Sequence, residues 1–149
     1  MTEILFYHLT RQPLERALPL LLEKCLERGW RAVVQAASDE RVAALDEMLW
    51  TYGDGSFLPH GTAADGHLDR QPIFLTAGDG NPNAAVVRVL VDGAEGPDLA
   101  PYVRALVLFD GHDAEAVAAA RVRWRRHKGE GHDLSYWQQD DDGRWRKEA

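Results

Sequence analysis

"RAVVQAASDERVAALDEML", residues 31–49, decides the fold class. Its opening "RAVVQA" (31–36) reads as a strand buried on both faces, since apolar residues follow one another without strict alternation. Ser38 then suits a helix N-cap, with Asp39 and Glu40 at the positive end of the helix dipole. Val42, Leu45 and Leu49 recur at helical spacing. A buried strand that runs straight into an amphipathic helix is half of a βαβ unit.

The same grammar extends in both directions. Upstream, "EILFYHL" (3–9) is a strand candidate, followed by Leu14, Leu18, Leu21, Leu22, Cys25 and Leu26 at helical spacing. Pro13 suits the first turn of that helix and Gly29 its end, while Pro19 predicts a kink or a late start because it lacks a backbone donor. Downstream, "PIFLTA" (72–77), "AVVRVLV" (85–91) and "VRALVLF" (103–109) read as strands, and Asp98–Tyr102 as a short helix. A long helix follows within 110–128, stopped by Gly129 or Gly131, and the tail holds a DG turn between two short segments, a terminal hairpin. Strand–helix alternation at these lengths predicts an α/β fold: an open, mostly parallel twisted sheet with helices on both faces, Rossmann-like in outline. Residues 1–149 read as a single domain.

The composition narrows the function. The chain carries a net charge of −7 and a pI near 5.3, a field that opposes phosphate and argues against general nucleic-acid affinity. Cys25 is the single cysteine and lies on an apolar helix stripe, so it reads as a buried thiol in a reducing compartment. No cationic lead precedes a long apolar run, and no membrane span is expected; the expected location is cytoplasmic.

Chemistry is conspicuous by omission. "GDGNPN" and "GDGS" lack the spacing of a nucleotide-binding loop, so no phosphate cradle is expected. His60 and His67 flank a loop with Asp65 and Asp69, which fits no metal spacing and reads as surface loop. The run Asp140–Asp142 beside Gly143 reads as a solvated turn. No nucleophile, base and orienting group assemble, so neither active site, cofactor nor metal is expected.

What stands out is "ARVRWRRHK" (120–128), which places five of the chain's seventeen lysines and arginines within eight residues. At about 100° per residue, Ala116, Val117, Ala120 and Trp124 turn toward the sheet. Arg121, Arg125 and Lys128 fall on the adjoining side, Trp124 lies at the seam, and Arg123 and Arg126 read as solvated charge. Guanidinium groups beside an indole suit an acidic peptide that ends in an apolar residue, its carboxylate taken by an arginine. The alternative is direct binding of single-stranded nucleic acid, with bases stacked on Trp124.

Two long stretches, "LDEMLWTYGDGSFLPHG" (45–61) and "LFDGHDAEAVAAARVRWRRHKGEGHDLSYWQQ" (108–139), resemble the chi subunit of bacterial DNA polymerase III holoenzyme, and the likeness runs along nearly the whole chain. The resemblance implies a non-catalytic accessory protein of the clamp-loader assembly. It implies two partners: the acidic C-terminal tail of single-stranded DNA-binding protein, and the psi subunit or a helicase that competes for the same place. DNA is then contacted mainly through partners. Arg121 would pair with the tail, Trp124 holds the family's aromatic position and Arg125 the following basic one, while Lys128 is added from helix geometry. The second surface maps onto Trp50 and Phe57, with Pro59 beside them, against a reading of ordinary core packing. Val117 stands where some relatives carry a lysine, Asp110 replaces an apolar pocket-wall residue, and the terminal hairpin looks longer.

Overall fold

The computed structural model describes residues 2–53 and 58–149. In chain order its elements are β1 (Glu3–Leu9), α1 (Leu14–Glu27), β2 (Ala32–Gln35), α2 (Asp39–Thr51), β3 (Ile73–Thr76), β4 (Val87–Leu90), β5 (Arg104–Asp110), α3 (Ala114–Gly129), β6 (Asp133–Gln139) and β7 (Trp145–Lys147), with short 3₁₀ turns at Ala63–Asp65 and Leu68–Arg70. One sheet orders the strands β3-β2-β4-β5-β1-β6-β7. Every pairing between named strands is parallel except the terminal β6–β7 hairpin, so the expected α/β architecture stands.

The strands are apolar on both faces because both faces are covered. Alternate residues of β1 diverge: Leu5, Tyr7 and Leu9 join α1 and α2 on one side, whereas Ile4 and Phe6 join α3 on the other. Leu18, Leu22, Leu45 and Leu49 fill the first layer, each at most 2% exposed. Truncating any of them to alanine would cost about 2–5 kcal/mol. Ala120, with Ala116, Val117 and Trp124, closes the second layer over Val107 and Phe109. Among the described residues no helix is long and apolar enough to cross a membrane.

Local chemistry explains the helix ends. The Ser38 hydroxyl accepts from the Arg41 backbone N–H at 3.2 Å, and the Asp113 carboxylate accepts from Glu115 at 3.0 Å. α1 stops in a Schellman turn: Gly29 takes φ +75°, and the Trp30 N–H donates to the Cys25 carbonyl at 3.0 Å. α3 stops the same way at Gly131 rather than Gly129, with φ +86° and the His132 N–H on the His127 carbonyl at 3.3 Å.

Two expectations change. Of the kink or late start expected at Pro19, the late start does not occur: α1 starts at Leu14 directly after Pro13, its N-cap, and continues through Pro19, which deprives only one carbonyl of a partner and is buried. Asp98–Tyr102 is a turn, not a helix. Its Leu99 and Tyr102 carbonyls accept from the buried Thr2 hydroxyl at 2.7 and 2.9 Å, contacts that hold a single turn against the start of the chain. The Asp140 turn is as expected: its carboxylate accepts from the Asp142 and Arg144 N–H groups and from Arg146 Nε, which holds it below the usual carboxylate range.

Candidate functional site

α3 leaves β5 and returns to β6, lying over the sheet face formed by β1, β5 and β6. Trp124 is half-buried at the seam between this layer and solvent. Its ring meets Phe6 edge-on at 5.3 Å between centroids and Tyr136 at 6.0 Å. Arg121, Arg125 and Lys128 are all exposed, and none forms an ion pair with a described residue. Four arginines elsewhere do pair with acids, Arg11 with Asp141, Arg41 with Asp92, Arg104 with Glu3 and Arg146 with Asp140, while the exposed Arg16, Arg28, Arg70 and Arg144 have no ion pair with a described residue. What sets α3 apart is that three such cations cluster on one helix beside a half-buried indole.

The sequence reading missed two side chains that border this strip. His8, at the end of β1, shares a 2.5 Å hydrogen bond between Nδ1 and the Tyr136 hydroxyl, and its ring leans on Phe109 at 5.1 Å. Burial pushes His8 below the ordinary imidazole range, and the neighbouring His112 and Arg121 side chains add to this, against raising contributions from Gly111 and Asp110. Burial raises Tyr136, and Arg121 opposes that rise. Arg121 thus lies within electrostatic reach of both. A Cβ on Gly111 would strike the His8 ring, which explains the glycine at that bend. No local periodicity announces this group, because it forms only where β1 and β6 become neighbours.

Arg123 is a correction. It is not solvated charge but 6% exposed, and its Nη2 donates to the carbonyls of Ala94 at 2.8 Å and Glu95 at 3.3 Å. Ala116, Ala120, Arg123 and His127 fall on one i, i+4, i+7, i+11 stripe, so Arg123 belongs to the covered side. Burial lowers its pKa, with Arg126 adding to the effect. Arg126 itself is exposed, 4.0 Å from Glu95, as expected. Val117 is half-buried against the sheet, and Asp110 is exposed, its carboxylate accepting the His112 N–H at 2.8 Å.

The second candidate surface lies on α2, across the sheet from α3. Trp50 is 54% exposed, which removes ordinary core packing as its explanation. Its ring lies over His60 at 4.7 Å, next in sequence to the half-buried Pro59. His60 is no surface residue: its side chain is fully buried, with Nδ1 at 2.6 Å from the Leu58 carbonyl and Nε2 at 3.2 Å from the Asp46 carboxylate. Phe57 lies outside the described residues.

A cleft of about 890 Å³ opens past the ends of β1 and β5, where an open α/β sheet usually holds a nucleotide. Here its cations are committed: Arg41 to Asp92, Arg123 to backbone carbonyls, Arg11 to Asp141. Asp92, Glu95, Asp110 and Asp113 line it, so it disfavours phosphate.

Residues 1–135 match the family model described as DNA polymerase III chi subunit, HolC. The chain belongs to the DNA polymerase III chi subunit family. A protein of Rickettsia prowazekii (strain Madrid E), named probable DNA polymerase III subunit chi, is 32% identical over 91 residues. That alignment covers 61% of this chain and 55% of the relative, so the chain spans about half the length of the curated relative it matches. The family is that of an accessory subunit of the replicative polymerase. Within this chi-family chain the match ends at Ser135, so Tyr136 and the rest of the β6–β7 hairpin lie beyond it.

Proposed function

We propose that this chain is a chi-type, non-catalytic accessory subunit of a DNA polymerase III assembly, acting with the clamp loader as an adaptor to single-stranded DNA-binding protein. The acidic C-terminal tail of that protein docks on α3. Arg121 takes the terminal carboxylate, Arg125 and Lys128 face the acidic residues upstream, and the last apolar side chain lies against the Trp124–Tyr136 edge. The observation that carries this reading is the row of exposed Arg121, Arg125 and Lys128, unpaired among the described residues, beside a half-buried indole in a chain of net charge −7.

The reading takes residues 1–149 as one domain. Trp50, Phe57 and Pro59 form the surface for the psi subunit or a competing helicase. Trp50's exposure supports this, and the placement of α2 and α3 on opposite faces would let both partners bind at once.

The deciding experiment titrates a fluorescent peptide ending Asp-Phe-Ile-Pro-Phe against the protein by anisotropy, beside a single-stranded oligonucleotide. Adaptor function requires peptide binding that weakens when the final phenylalanine is removed. Oligonucleotide binding that is equally tight and steeply salt-dependent, with no peptide binding, would reverse the assignment toward direct nucleic-acid recognition.

A further inference from the structure

The end of α3 carries a group of side chains that tail binding does not use. His127 is buried on the covered stripe, and its Nδ1 lies 2.9 Å from Glu130 Oε1. The Schellman turn at Gly131 then folds the chain back, so that the His132 ring meets the His127 ring edge-on at 5.9 Å between centroids. One nitrogen from each imidazole and one Glu130 oxygen all lie within 4.8 Å of one another. Local backbone geometry thus converges three ligands that the spacing H-x-x-E-x-H alone does not suggest.

Other features of the surroundings bear on a cation here. The second ring nitrogen of His127, Nε2, is buried with no hydrogen-bond partner among the described residues, so this imidazole is only half committed to the protein. The negative end of the α3 dipole lies here. A small cavity of about 210 Å³, bordered by Glu95, Asp98, Arg126, His127 and Glu130 but not by His132, adjoins two of the three ligands. Arg123 and Arg126 oppose a cation, but Arg123 is tied to the Ala94 and Glu95 carbonyls, and Arg126 leans toward the Glu95 carboxylate.

We propose that His127, Glu130 and His132 form a divalent-metal site of the zinc class, completed by solvent, which clasps the end of α3 to the turn entering β6. Two imidazoles with one carboxylate suit zinc and its borderline neighbours, not calcium or magnesium. Ligands about 2.0–2.2 Å from a tetrahedral ion stand roughly 3.4 Å apart, so the group must close by little more than an ångström. Glu130, whose side chain is 52% exposed, is free to rotate inward.

The test titrates zinc into metal-stripped full-length protein by calorimetry, with cobalt as a spectroscopic substitute. One equivalent should bind, cobalt should give the visible absorption of a tetrahedral site, and zinc should raise the melting temperature. His132→Ala and Glu130→Gln, both at accessible positions, should each weaken binding at least tenfold and abolish the zinc-dependent melting shift. His127→Ala is avoided as the main test because the residue is buried. Absence of a stoichiometric site in the wild type, or unchanged affinity in both folded variants, overturns the proposal. His8, His60, His67 and His112 remain in every variant, so adventitious histidine binding would survive and be recognised.

Discussion

His8 and Tyr136 meet across the neighbouring strands β1 and β6, with His8 Nδ1 2.5 Å from the tyrosine hydroxyl. The pair joins the end of one strand to the ring cluster that also holds Trp124 and Phe109. It makes the border of the α3 strip a fixed wall rather than a loose surface, and it ties that border to pH.

Arg121→Ala is expected to weaken the acidic tail peptide about tenfold or more, the scale of a lost charge-assisted hydrogen bond of roughly 1.5–3 kcal/mol. Because Arg121 is exposed and unpaired among the described residues, the urea midpoint should move little. Trp124→Ala should lose both peptide affinity and stability, since its ring rests on Phe6 and Tyr136. Anisotropy alongside urea unfolding separates the two effects.

Raising salt from low to physiological strength should weaken the peptide measurably, as screening shortens the reach of Arg125 and Lys128. Arg125→Glu should lower affinity further and flatten this salt response. A salt response identical to wild type would remove Arg125 from the site.

Trp50→Ala should leave the tail peptide bound at wild-type affinity and change stability by less than about 1 kcal/mol, because more than half of the side chain is exposed. Binding to psi, measured by co-purification or surface plasmon resonance, should fall. Retained psi binding, with a helicase also unaffected, would move the second interface elsewhere.

Acid should destabilise the fold through His8. The unfolded chain takes up a proton near the ordinary imidazole value of about 6.5, whereas folded His8 does so only at lower pH, chiefly because of burial. Between those two values the unfolded state binds more protons, so stability is full above about 6.5 and declines as pH falls through the folded pKa. Urea midpoints across pH 7.5 to 5 should show the decline, and His8→Leu should make it shallower. His127, shifted in the same direction, keeps it from vanishing.

Arg123→Met should destabilise the protein by about 1–3 kcal/mol, because the carbonyls of Ala94 and Glu95 lose a charged donor. Arg126→Ala, on an exposed side chain 4.0 Å from its carboxylate, should cost less than about 0.5 kcal/mol. Equal losses in the two variants would refute the contrast between the neighbouring arginines.

Sequence alone determined what lies within one element or one turn. Ser38 as a cap, Gly29 as a helix stop, unbroken apolar strands and the placing of Trp124 between a covered and a cationic face all follow from backbone periodicity, which needs no distant partner. Tertiary structure decided which strands became neighbours, and with that the His8–Tyr136 contact, the capture of Leu99 and Tyr102 by Thr2, and the burial of Arg123 under the loop after β4. Those contacts join residues 29 to 128 positions apart. Their partners are fixed by the sheet order, and the free energy of an arginine or histidine depends on what surrounds it rather than on its place along the helix.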